Sequence, residues 1–251
     1  MTDFQPKAFR LLVVTLLLLL SACSSKPVLE SNTKAPTVPL PENVEQINAH
    51  ANIVDPFEGF NRRMYYFNAK ADKYVMIPAV RGYKAITPDF VEHGVSNFFD
   101  NLGEIATFAN ALLQFKGGVA LETLGRFTVN STLGLAGLFD VATPIGLQQQ
   151  NEDFGQTLGY WGVSSGPYLV LPILGPSTVR DTLASGVDMV IFNAAVNELG
   201  LKNEEELVLS TLRAIDTRAR LPFRYYSTGS AFEYEKVRLL YLKYRELLIT
   251  R

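Results

Sequence analysis

Gly162-Val163-Ser164-Ser165-Gly166 matches G-x-S-x-G, the turn that presents the nucleophilic serine of lipases. The chemistry would be acyl transfer, with the serine oxygen attacking an ester carbonyl while a histidine takes its proton. In that architecture the histidine follows the serine along the chain. The only two histidines here, His50 and His93, both precede it. The strand–helix alternation that builds such an elbow is also missing, so the residues themselves read as a Gly-rich turn in a protein that is not an enzyme. Two histidines and one cysteine make no metal-ligand cluster, and no glycine loop leads into Lys and Ser or Thr to cradle a phosphate. No metal and no cofactor is expected.

Cys23, the single cysteine, has a different chemistry in prospect. Lys7 and Arg10 precede a run from Leu11 to Leu20 that is apolar apart from Thr15, and the small residues Ser21 and Ala22 follow. A basic region, a short apolar region and a small-residue cleavage site make a secretory signal over 1–22. The run is too short to span a bilayer as a helix. Leu20-Ser21-Ala22-Cys23 resembles the bacterial lipobox, in which the cysteine thiol is acylated and becomes the first residue; a plain signal cut near Ala22 is the alternative. Ser24 in the next position, where an Asp would oppose it, favours sorting to the outer membrane under the rule for lipoproteins of Gram-negative bacteria. With one cysteine there is no internal disulfide, so the core must hold by packing. Lys and Arg total 23 against 25 Asp and Glu, and such a balance gives no footprint for nucleic acid.

The elements that would position any site begin after a linker. Residues 23–51 contain Pro27, Pro36, Pro39 and Pro41 with little apolar content, and read as a lipidated cysteine on a flexible tether. A single domain of residues 52–251 follows. Asp55 suits an N-cap and Pro56 the first helical position. Phe57, Phe60, Met64, Phe67, Ala71 and Tyr74 then repeat at helical spacing until Pro78, which is expected to stop the helix. That stripe is either ordinary core or part of a lipid-contacting wall. Further helices are expected from Thr87 to about Phe99, from Leu102 to Phe115 and over 119–132. Asp153 is expected to cap a short helix reaching Trp161, and 168–174 to be a brief extended piece. Asn203 with Glu206 and Ser230 with Glu233 have capping-box spacing. Each is expected to open one of two charged C-terminal helices packed through Leu207, Leu212, Ile215, Val237, Leu240, Tyr244 and Leu248.

The middle of the chain differs in kind. Phe127 to Gln150 carries one formal charge, Asp140, and is too broken by Gly, Pro and Asn for a transmembrane helix. Leu135 and Leu138 are candidates for the apolar face of this stretch. Asp140 either faces a wet lumen or headgroup layer, or caps a turn.

Asp55-Pro56-Phe57-Glu58-Gly59-Phe60-Asn61-Arg62-Arg63-Met64-Tyr65 with Phe67-Asn68 resembles the opening motif of the MlaA (VacJ) family. Ser96-Asn97-Phe98, Arg126-Phe127, Asn130-Ser131-Thr132-Leu133-Gly134, Phe154-Gly155-Gln156-Thr157-Leu158-Gly159 and Gly166-Pro167-Tyr168 continue the match in order, as do Leu171-Pro172, Gly175-Pro176-Ser177 and Arg180-Asp181. The resemblance implies an all-α, ring-shaped domain of mainly amphipathic helices with Gly-rich irregular segments, embedded in one leaflet of the outer membrane. It implies an amphipathic channel that removes mislocalised phospholipids from the outer leaflet, with Phe60, Met64, Phe67, Leu135, Leu138 and Asp140 as channel or ring candidates. The implied partners are phospholipid, a trimeric porin, and a periplasmic lipid carrier that feeds an inner-membrane ABC transporter with an MCE subunit. A non-transporting outer-membrane scaffold, and a lipid hydrolase built on Ser164, are the competing readings.

The lipobox reading has a direct check. Cys23→Ala is expected to block acylation and leave an uncleaved precursor in the inner membrane, seen by gel mobility and membrane fractionation; mature-size protein in the outer membrane would contradict it.

Overall fold

The computed structural model describes Asp55 to Thr250 apart from Thr228. They belong to a compact unit running from Ala51 to Arg251. The signal, Cys23 and the tether lie outside the described residues. The unit is mainly helical: α1 (Glu58–Ala71), a π turn (Asp72–Met76), α2 (Ile77–Ile86), α3 (Asp89–Leu113), α4 (Gly117–Thr132), a 3-10 turn (Thr143–Ile145), α5 (Phe154–Tyr160), a hairpin of β1 (Tyr168–Leu171) and β2 (Gly175–Thr178), α6 (Val179–Asn197), α7 (Asn203–Arg220) and α8 (Glu233–Thr250). No described helix is long and apolar enough to cross a membrane.

Pro78 does not stop the first helix. The π turn lies just before it and α2 continues with Pro78 in its first turn. A proline cannot donate to the helical ladder, and the wider turn shifts the ladder at the point where that donor is missing. Arg218 of α7 forks onto Asp72 inside the π turn, with Nη2 donating to Oδ2 at 2.8 Å and Nε to Oδ1.

The apolar stripe of α1 is not core. Phe57, Phe60, Phe67 and Tyr74 are exposed, whereas Asn61, Tyr65, Asn68 and Asp72 are buried. Of the predicted stripe, Met64 is half-buried, against a cluster of Tyr65, Tyr168, Val170 and Tyr234. The reason is a job for amides. Asn61 donates to the Tyr168 carbonyl at 3.0 Å and accepts from the Val170 amide at 2.8 Å. One heptad on, Asn68 donates to the Leu171 carbonyl at 2.8 Å and accepts from the Ile173 amide at 2.7 Å. Asn61 serves the edge of β1 that β2 leaves unpaired, Asn68 serves the end of β1 and the turn beyond it, and backbone groups buried without partners would be costly. The T-shaped rings of Tyr65, Tyr225, Tyr226 and Tyr234 pack beside this seam.

α3 runs unbroken where a joint at Asp100-Asn101 was expected. Asn97, Asn101, Glu104, Thr107, Asn110 and Gln114 form a polar stripe along it, and all but Asn97 are buried. Asn101 donates to Ser131 Oγ at 2.9 Å, and Asn110 donates to Asp188 Oδ1 at 3.0 Å while accepting from Thr157 Oγ1 at 2.8 Å. A second cluster, Phe99, Leu102, Phe192 and Val196, packs α3 on α6.

Asp153 does cap α5, accepting from the Gln156 amide at 2.8 Å. α6 has the same device: Thr178 accepts from the Asp181 amide at 3.1 Å. α7 starts one residue early, with Glu205 reaching back to the Lys202 amide at 2.8 Å, and α8 starts at Glu233 itself. Leu207, Leu240 and Tyr244 are exposed rather than packed, while Leu212 and Val237 join the two clusters. The ions hold α8 instead: Arg245 bridges Asp153 and Asp181, with Nη2–Oδ1 at 2.8 Å and Nε–Oδ2 at 3.0 Å.

Asn61→Ala should lower unfolding stability by about 2–3 kcal/mol, because it strands a buried carbonyl and a buried amide of β1. Asn193→Ala, on the exposed face of α6, should stay within about 0.5 kcal/mol. Urea denaturation in mild detergent followed by circular dichroism compares the two.

Candidate functional site

Among the described residues the interior and the exterior exchange their usual characters. Buried polar side chains outnumber buried apolar ones, and large apolar side chains are exposed along the whole chain. Exposed apolar side chains that cluster mark an interaction with lipid or protein, whereas scattered ones are ordinary.

The stretch 127–150 displays the pattern most fully. α4 ends at Thr132, and the chain then folds through Leu133–Leu147 in turns. Leu133, Leu135, Leu138, Phe139 and Ile145 are all exposed. Yet most of the backbone donors are turned inward. The amides of Gly134, Ala136, Gly137 and Phe139 donate to the carbonyls of Val129, Ser131, Asn130 and Gly134. Those of Val141 and Ala142 both donate to Asn130 Oδ1 at 2.9 Å, that of Thr143 to Asp140 Oδ1 at 3.1 Å, and that of Gln148 to Glu122 Oε1 at 2.6 Å. Ile145, Gly146 and Leu147 donate within the 3-10 turn. An irregular segment whose donors are met from within can sit where there is no water to meet them.

The turn is tight. Leu135, Ala136 and Gly137 all have positive φ, 53°, 58° and 90°. A Cβ on Gly137 would lie 2.6 Å from the Asn101 side chain, and one on Gly134 2.2 Å from the Phe139 carbonyl oxygen, so both positions require glycine.

Arg126 is the hub beneath this turn. It is buried, with Nε donating to Glu104 Oε1 at 2.7 Å, Nη1 donating to Thr143 Oγ1 at 2.9 Å and to the Leu147 carbonyl at 2.5 Å, and Nη2 3.5 Å from Asp140 Oδ1. Asp140 also accepts from Asn130 Nδ2 at 3.1 Å and from Thr143 Oγ1 at 2.5 Å. It therefore caps the turn and anchors it. Burial works against its charged form, but the hydrogen bonds from Thr143 and Asn130 and the charge of Arg126 outweigh that and hold its carboxyl below the usual carboxylate value. Burial pushes Glu104 the other way, above the usual value, with Arg126 offsetting part of the rise.

Beside this hub lies a polar cleft of about 140 Å³, between Asp100, Glu104 and Thr107 of α3, residues 149–151, and Arg213, Thr217 and Arg220 of α7. Arg220 is bound there, its Nη1 forking onto both oxygens of Asp100 at 2.8 and 2.9 Å and its Nη2 3.0 Å from Asp216.

The predicted site residues therefore divide. Leu135 and Leu138 are exposed on one turn, and Phe60 and Phe67 are exposed on α1. Met64 packs inward and Asp140 is a turn anchor. The motif Gly162–Gly166 is a turn after α5, with Ser164 exposed. The cleft and the Glu104–Arg126 pair were missed, although Arg126 stood in one of the quoted blocks; a helical repeat of Asn, Glu and Thr along α3 was the available signal.

Known proteins resemble this chain over most of its length. The family profile described as "MlaA lipoprotein" matches residues 53–248. An uncharacterized protein of Rickettsia typhi is 38% identical over 182 residues, 71% of each chain. The intermembrane phospholipid transport system lipoprotein MlaA of Shigella flexneri is 38% identical over 172 residues, 66% of each, and that of Escherichia coli K12 is 40% identical over 131 residues, 51% of this chain and 52% of that one. A solved structure described as "Structural basis for maintenance of bacterial outer membrane lipid asymmetry" superposes with a TM-score of 0.66 at 32% identity, covering 78% of this chain and 99% of the other.

Asp140→Asn tests the turn anchor. The lowered folded-state value means that Asp140 stabilises fully above the unfolded carboxylate value near 4 and loses that contribution as pH falls through its own lower value. The variant should be about 1 kcal/mol less stable at pH 7, and the difference should shrink toward pH 3. Denaturation midpoints at the two pH values measure it.

Proposed function

The chain belongs to the MlaA lipoprotein family, and from that premise we propose that it removes mislocalised phospholipids from the outer leaflet of the outer membrane and passes them to a periplasmic carrier. The relatives named for intermembrane phospholipid transport support the substrate class. The likeness to a structure concerned with outer-membrane lipid asymmetry supports the setting.

The observation that carries the reading is the reversal of inside and outside. Exposed Leu135, Leu138, Phe60 and Phe67 suit acyl chains, and most donors of the irregular segment are met from within the protein, as hydrocarbon demands. In this reading the helical body lies as a ring in the inner leaflet, held there by the acyl chains on Cys23. Phospholipid headgroups follow the polar interior while their tails stay on apolar surface. A trimeric porin stands beside the ring, and a soluble carrier takes the lipid on to an inner-membrane ABC transporter with an MCE subunit. Ser164 takes no part.

Leu135 offers a test that separates a lipid contact from a strained loop. Its φ is 53°, a conformation that Asp tolerates better than Leu. In water Leu135→Asp should be neutral or mildly stabilising. Facing hydrocarbon it should cost up to about 2.5–3.5 kcal/mol, less toward the interface. Mature chain substituted Cys23→Ser, so that no acyl anchor contributes, is floated with phospholipid vesicles. The expected result is at least a severalfold loss of bound Leu135→Asp and no loss for Leu29→Asp in the tether; equal flotation of all three would overturn the lipid-facing assignment.

A further inference from the structure

The cleft beside the Arg126 hub holds one cation and one carboxylate oxygen that the protein leaves unpaired. Arg213 has no carboxylate partner among the described residues. Its guanidinium lies 3.4 Å from the centroid of the Phe192 ring, which holds the plane in position and leaves the N–H edges free. A guanidinium presented this way suits two oxygens of a phosphate ester. Partial burial against neighbouring side chains and the charge of Arg220 both lower the basicity of Arg213. On the α3 side Glu104 is buried, and while Oε1 takes the Arg126 hydrogen bond, Oε2 has no hydrogen-bond partner. An unsatisfied buried carboxylate oxygen is costly, and a ligand N–H or ammonium would relieve it.

The cleft is not a simple anion trap. Arg220 is already bound by Asp100 and Asp216. A dianion beside Arg213 would also face Asp100 and Glu104, so the pairing left over is a separated plus and minus. The volume, about 140 Å³, is room for roughly five waters at about 30 Å³ each, enough for a small headgroup and too little for acyl chains.

We propose that this cleft is a headgroup-reading site for an amine-bearing phospholipid, with the phosphodiester on Arg213 and the ammonium on Glu104. The proposal rests on the phospholipid reading above and adds a preference for a zwitterionic over an anionic headgroup. Arg213 and Glu104 act by binding only; no bond is made or broken.

The test uses full-length acylated protein in non-ionic detergent with three soluble probes, glycerophosphoethanolamine, glycerophosphoglycerol and inorganic phosphate, followed by ligand-observed NMR titration. Glycerophosphoethanolamine should bind more tightly than glycerophosphoglycerol by about fivefold, the scale of one partly exposed charge-assisted contact. Arg213→Gln should weaken both diesters by a similar factor, and Glu104→Gln should remove the preference while keeping phosphodiester binding. Equal binding of the two diesters overturns the proposal, as does unchanged binding by Arg213→Gln. Inorganic phosphate binding as well as glycerophosphoethanolamine also overturns it, in favour of a free-phosphate site. Glu104 is tied to buried Arg126, so if Glu104→Gln does not fold, Arg213→Glu at the exposed position decides: retained diester binding sinks the proposal. Extraction of labelled phospholipid from vesicles separates this from the broader reading. Lipid uptake without headgroup preference leaves transport standing and the site refuted, whereas the predicted probe pattern without any lipid uptake leaves the site standing and transport refuted.

Discussion

The guanidinium of Arg126 is buried against Glu104 and reaches Asp140, Thr143 and the Leu147 carbonyl at once. A buried ion pair of this kind contributes little by its mere existence, because desolvation offsets most of the attraction, but removing one partner leaves an uncompensated charge. Here the pair is also a joint between elements. Glu104 belongs to α3, Arg126 to α4, and the remaining donors of Arg126 are spent on a segment with no helix or sheet to hold it. Asn130, one turn further along α4, takes two more amides of that segment. The exposed leucines of the turn can face outward because its polar backbone is held from behind.

The same division of labour recurs at the other end of the body. Asn61 and Asn68 on α1 do for the hairpin what Arg126 and Asn130 do for the 133–148 turn. In both places a helix turns its amide and charged residues toward irregular backbone and gives its aromatic and aliphatic residues to the outside. Packing of apolar side chains, confined to two small clusters, is supplementary. Such an interior is directional, since each amide or guanidinium fits one set of partners, whereas aliphatic cores tolerate rearrangement.

Much of the helical content was legible because turns and caps obey local rules: Asp153 before α5 and the glycine pair Gly117-Gly118 that opens α4 stood at or beside the ends they mark. What misled was the assumption that apolar periodicity points to the core. Phe57, Phe60, Phe67 and Tyr74 do repeat at helical spacing, and the spacing correctly signals a helix, but periodicity reports only that one face differs from the other. Which face is inside depends on the solvent. Pro78 failed as a stop because a π turn, invisible to residue statistics, shifts the hydrogen-bond ladder ahead of it. The cleft was out of reach for another reason: Asp100 and Arg213 lie over a hundred positions apart, and only the packing of α7 on α3 joins them.

The amide clamp on β1 has a bearing on how the protein avoids its own kind. A two-stranded hairpin ordinarily offers an unpaired rim of N–H and C=O groups, a template on which another chain can add a strand and begin an aggregate. On β1 that rim is already occupied by Asn61, and Asn68 closes the turn at its end. A protein with this much apolar surface is at risk of self-association wherever that surface is uncovered. Closing the one strand rim with side chains of its own first helix removes the directional half of that hazard, and does so as soon as α1 and the hairpin have met.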